Sequence, residues 1–156
     1  MAVNIQPTQV KPPADLSEVD RFLRDVGTQI ATNASLVRRA NDSTPLAYRM
    51  MRVGIYLYMS DAPPADAAGK TQMTPPEARR RQQIETILAS QNWKALIEEA
   101  ESSLMQSRFW LDLHRYVATA LNSLGPSHAK AHEELLRETA VLLRRFPSLP
   151  NLTFKD

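Results

Sequence analysis

Side chains able to do chemistry fall in four short stretches of the sequence. "HAKAH", residues 128–132, sets His128 and His132 four apart, so on a helix both imidazoles could reach one metal ion. "AGKT", residues 68–71, ends like a phosphate-cradling loop. "SRFWLDLHRY", residues 107–116, gathers Asp112, His114 and Tyr116, which together could act as acid, base and donor. "RRR", Arg79, Arg80 and Arg81, could meet phosphates or an acidic partner.

Each stretch falls short when the rest of its chemistry is sought. A phosphate loop needs a glycine five residues before Gly69, where the chain has Pro64, and a helix beginning at the lysine. Helix signals resume only after Thr74, so Gly69 reads as a turn glycine and no nucleotide is expected. His128 and His132 make half a zinc site with no third ligand marked, and they read as solvated residues near a helix start. Asp112 and His114 are two apart, so on a helix they point away from each other. Asp112 is instead spaced to pair with Arg108 and Arg115. The stretch reads as a packed helix with Phe109, Leu113 and Tyr116 inward and Trp110 flanking them. No catalytic residue, cofactor or metal is expected, and the three arginines read as a solvated face open to a partner.

Composition bounds the same conclusion. The 156 residues are one domain by size, and 43% hydrophobic content supports a core. Only 4 glycines and 6% aromatics argue against a sheet-rich or glycine-loop fold, and the absence of cysteine excludes disulfides and thiolate metal sites. A formal charge of +2, from 19 basic and 17 acidic residues, is too small and too scattered for a nucleic-acid module. No apolar run reaches the ~18 residues that cross a membrane. Residues 1–13 read as an extended linker, and both ends read as cut from something larger.

The elements that must position these residues are helices. Leu16, Val19, Phe22, Leu23, Val26, Ile30, Ala34 and Val37 recur at three and four, behind a capping box of Asp15 and Glu18. Thr44 and Pro45 restart the pattern as N-cap and first turn. "PLAYRMMRVGIYLYM" follows, apolar nearly all round; Ile55 to Met59 could pass for a strand, but the period favours helix. Residues 60–74 form one long loop. A second capping box, Thr74 with Glu77, opens a third helix, and Asn92 opens a fourth with Trp93, Leu96, Ile97, Ala100 and Leu104 on one stripe. The fifth runs from Arg108 to Gly125, a C′ glycine. The sixth carries Leu135, Leu136, Leu142, Leu143 and Phe146 inward. The expected fold is all-α, about six helices stacked as antiparallel hairpins into a solenoid-like bundle, with a faint helix-pair repeat from Asn92 onward.

Two features suggest an interface. The second helix offers apolar side chains on more sides than one neighbour covers. The first, ~25 residues or about 37 Å, is longer than a compact domain needs, leaving turns near Ile30, Ala34 and Val37 to be covered. Ile30, Val37, Arg79, Arg80 and Arg81 are the candidate interface residues, and a weak two-fold homodimer is expected.

An ordered set of stretches, "PLAYRMMR", "APPADAAGKTQMTPP", "NWKALIEEAE", "FWLDLHRYVATALNSLG" and "FPSLPNLTFKD", resembles the TssA family of type VI secretion proteins, also called ImpA- or VasJ-related. The resemblance covers residues 14–156 and is to the middle domain of that family. It implies a non-enzymatic scaffold in the bacterial cytoplasm whose partners are baseplate, tube and sheath components. The rivals are a generic helical-repeat adaptor, or a helical enzyme domain using the 60–74 loop.

Overall fold

A computed structural model describes residues 11–156. These hold six α-helices: α1 (Val19–Ala40), α2 (Pro45–Tyr56), α3 (Ala78–Ala89), α4 (Trp93–Leu104), α5 (Asp112–Ser123) and α6 (Ala129–Arg145). The all-α expectation holds, and "PLAYRMMRVGIY" is helix. Most of the linker expected over residues 1–13 lies outside the described residues.

Local chemistry explains most boundaries. Asp15 accepts hydrogen bonds from the Ser17 and Glu18 amides, so its half of the first capping box forms, over a short 3-10 turn (Leu16–Glu18) ahead of α1, while Glu18 reaches one residue further back, to the Ala14 amide. Pro45 sits in the first turn of α2, and the Asn92 carboxamide accepts from the Ala95 amide at the start of α4. Gly125, at φ 85°, ends α5 in the left-handed region, where a side chain is strained. The second capping box does not form. α3 begins after Glu77 without a side-chain cap, because Pro75 and Pro76 keep the preceding backbone out of helical geometry. α5 likewise starts at Asp112 rather than Arg108, and the residues before it turn to bring Trp110 inward.

α1 and α2 form a hairpin in close backbone contact. Gly27, Ala31 and Ala34 of α1 face Ala47 and Gly54 of α2, all buried. A Cβ on Gly54 would lie 2.7 Å from the Ala31 nitrogen, so only glycine admits this approach. α2 also packs on α6, α6 on α5, α5 on α4, and α3 chiefly on α4. The core lies between them: Tyr48, Met51, Ile84, Leu96, Ile97, Leu104, Leu113, Leu121 and Leu135 are fully buried.

Several residues expected inward lie elsewhere. Leu16 is 90% exposed, ahead of the region where α2 covers α1, and Leu136 is 48% exposed on the flank of α6 away from α2. Trp93 and Phe109 are half-buried at the core margin, while Trp110 is buried edge-on to Tyr116 with ring centroids 6.3 Å apart.

Candidate interaction surface

The stretch that opened as a possible acid–base cluster is packed structure, helical only from Asp112 onward, with residues 107–111 forming turns ahead of it. Leu113, His114, Tyr116 and Val117 are buried; Asp112 and Arg115 are exposed and pair at 3.1 Å. Arg108 does not join them. It turns inward and donates to the Ile55 carbonyl at 2.9 Å, because it precedes α5 rather than sitting on its first turn. The Tyr56 hydroxyl donates to the Arg108 carbonyl at 2.5 Å and lies 3.0 Å from His114 Nε2. His114 therefore carries its proton on Nε2 and gives it to the Tyr56 oxygen. Burial, with the Arg52 charge adding to it, pushes this imidazole down to about 3, so it stays neutral in the fold.

Buried charges join the helices, and the sequence pattern did not single them out. Arg52 and Glu101 are both almost fully enclosed. Nη1 donates to Oε2 at 2.9 Å, while Nη2 faces Oε1 at 2.6 Å, off the line of a hydrogen bond. Arg38, buried at the end of α1, donates to Glu98 of α4, and Arg39 binds the other carboxylate oxygen at 2.8 Å. The Arg38 hydrogen bond, more than the Arg39 one, draws the Glu98 carboxyl down to about 2 despite partial burial. Arg49 of α2 donates to buried Glu134 of α6 at 2.6 Å, and Arg137 holds the other oxygen. The available signal was an arginine inside an otherwise apolar helix and a glutamate beside the leucine stripe of α4.

His128 is not solvated. It is buried where α6 begins; Nε2 meets Asp42 at 2.9 Å and Nδ1 meets the Ser127 hydroxyl at 2.8 Å. Helix propensity could not reveal this, since Asp42 comes from the α1–α2 turn. Burial acts to raise the Asp42 carboxyl, and the His128 hydrogen bond with the Lys94 charge outweighs it, leaving it below its ordinary value. His132 is half-buried one turn on. Among the described residues no three histidine or acidic side chains stand close enough to share a metal ion.

The candidate interface residues fall in two separate places. On α1 the row Gly27, Ala31, Ala34 faces α2, Arg38 continues it to Glu98 of α4, and Arg39 and Arg24 flank it toward α4 and Tyr58. At 100° per residue, Leu23, Ile30 and Val37 therefore occupy the opposite flank, and both candidates there are half-buried. On α2 the same reasoning sets Leu46, Met50 and Val53 between the α1-facing glycine row and Arg49, which reaches α6. Leu46 is 48% and Val53 39% exposed. Val141, 40% exposed, shares the flank of α6 that carries Glu134 and Glu138. An apolar band thus crosses α1, α2 and α6, with the Arg49–Glu134–Arg137 cluster beside it. Arg79 and Arg81 are exposed on α3, which packs on α4, while Arg80 donates to Glu99 at 2.6 Å. Only two of the three arginines therefore face solvent unpaired with that helix.

The family model described as "Type VI secretion, EvfE, EvfF, ImpA, BimE, VC_A0119, VasJ" matches residues 21–156. Among curated proteins, none matches the chain in sequence. No helix among the described residues is long and apolar enough to cross a membrane.

Proposed function

The chain belongs to the ImpA/VasJ family of type VI secretion proteins, and we propose that it acts there as a non-catalytic docking scaffold. The observation that carries this reading is the apolar band of exposed Leu46 and Val53 with half-buried Ile30, Val37 and Met50 beside them, on two helices brought close at the Gly27–Gly54 crossing. A face with protein-like apolar character and a charged margin suits protein contact better than small-molecule chemistry. Its partners are baseplate, tube or sheath components, and its compartment is the bacterial cytoplasm. Arg79 and Arg81 on α3 offer a second contact for an acidic surface.

A second copy of the chain is the simplest occupant of the apolar band, in a weak two-fold dimer. Sedimentation across a range of concentrations tests the dimer, with Val37→Glu as the disrupting variant. A monomer mass at high micromolar protein removes it. Binding assays with purified baseplate, tube and sheath proteins test the docking role. If Val37→Glu and Arg79→Glu/Arg81→Glu leave every such interaction unchanged, both surfaces are wrongly assigned.

A further inference from the structure

We infer that the "GKT" loop is a strand-receiving edge, closed in this structure by the chain's own residues 151–156, and that this strap opens as a unit apart from the helices. Gly69, Lys70 and Thr71 each have a partner in that segment. Gly69 accepts from the Thr153 amide at 2.9 Å. Lys70 pairs with Asp156. The Thr71 amide and hydroxyl both donate to the Thr153 carbonyl, at 2.9 and 2.8 Å, and Lys155 donates to the Met73 carbonyl at 3.0 Å. The pairing is parallel, with Lys70 bridged to Thr153. Gly69 is required twice over. Its φ is 82°, and a Cβ there would lie 2.6 Å from the Asn151 carbonyl oxygen.

The receiving edge is built without the strap. Asp66 accepts from the Ala68 and Lys70 amides through its side chain and from the Gly69 amide through its carbonyl, while its own amide donates to the Lys70 carbonyl. That set folds residues 65–71 into a hairpin whose outer edge would stand open if the strap left. Leu152 and Phe154, two apart, are half-buried beside Met73, Phe109, Trp110 and Leu111 in a surface groove. The edge therefore takes an extended segment with apolar residues two apart and a carboxylate placed for Lys70. Residues 151–156 supply that chemistry from within the chain. Thr71 on the receiving edge is buried, but Thr153, Lys155 and Asp156 of the strap are exposed and Leu152 and Phe154 only half-buried, so the strap itself belongs to the low-stability end of the molecule.

Native-state hydrogen exchange on the whole chain tests this, with wild type, Gly69→Ala and Lys70→Ala compared. In wild type the Thr71, Thr153 and Lys155 amides should exchange as a group, at least about tenfold faster than Ala100 and Val117 in the helical core. Gly69→Ala should accelerate those three by about tenfold or more and leave Ala100 and Val117 unchanged. Lys70→Ala should accelerate the same three by less, and it keeps the test open if the glycine variant fails to fold. Strap amides that exchange together with the helical core in wild type would overturn the inference. So would acceleration spreading to α4 and α5 in either variant, or no acceleration in both.

Discussion

Gly27 and Gly54 meet backbone to backbone across the α1–α2 hairpin, each standing where a Cβ would strike the other's carbonyl oxygen. The contact brings the two helix axes close enough for Ala31, Ala34 and Ala47 to be buried between them. Alanine at either glycine gains helix propensity, worth about 1 kcal/mol. The gain is outweighed because the obstacle is backbone, which no rotamer change relieves. Gly54→Ala and Gly27→Ala should each destabilise by about 1–3 kcal/mol net, read as a lower denaturant midpoint with an unchanged slope.

The Arg52–Glu101 pair makes a second prediction. Both groups are buried, so removing one strands the other's charge: Glu101→Leu alone should cost about 3–5 kcal/mol. Replacing both, as Arg52→Met with Glu101→Leu, should recover most of that loss. Chemical denaturation of the single and double variants gives the cycle. A double variant no more stable than Glu101→Leu would show that the pair itself, and not its unpaired remnant, supplies the stability.

Acid should unfold this domain in two overlapping steps. His114 has its folded value lowered to about 3 against 6.5, so between those pH values the unfolded chain binds a proton that the fold does not, and stability falls as pH falls. Glu98, lowered to about 2 from 4.5, contributes stability that is complete above 4.5 and lost as pH drops toward 2. The Glu98 side chain is 39% exposed, so solvent weakens its share. Stability measured from pH 7 to pH 2.5 should therefore decline from about pH 6.5. In Glu98→Gln the decline below pH 4.5 should be shallower, while the arm above it keeps its slope.

Trp110, not Phe109, is the aromatic that anchors the entry to α5. Trp110 is 6% exposed and stands edge-on to Tyr116, whereas Phe109 is half-buried. Trp110→Ala should cost about 3–5 kcal/mol, and Phe109→Ala distinctly less. Equal losses in thermal melts would mean that the two rings share the burial.

How much was legible follows from the range of the forces involved. Helix periodicity, the Asp15 and Asn92 caps, Pro45 and Gly125 act within one or two turns, so six helices and an all-α class could be read directly. The same local reasoning set Asp112 and His114 pointing apart, and the fold has one exposed and the other buried. The family resemblance, carried by ordered stretches, was legible too, and the family match bears it out.

What only the tertiary structure decided is pairing between distant residues. Arg52 reads as a polar break in an apolar helix until Glu101, 49 residues on, arrives to neutralise it. His128 reads as solvated until Asp42 comes round from the α1–α2 turn. Gly69 reads as a loop glycine until the backbone of Asn151 needs the space its missing side chain leaves. Local propensity is fixed by neighbours along the chain, whereas burial and charge pairing are fixed by neighbours in space. The sequence by itself therefore determined the helices, and tertiary packing determined which of their charged and small residues hold them together.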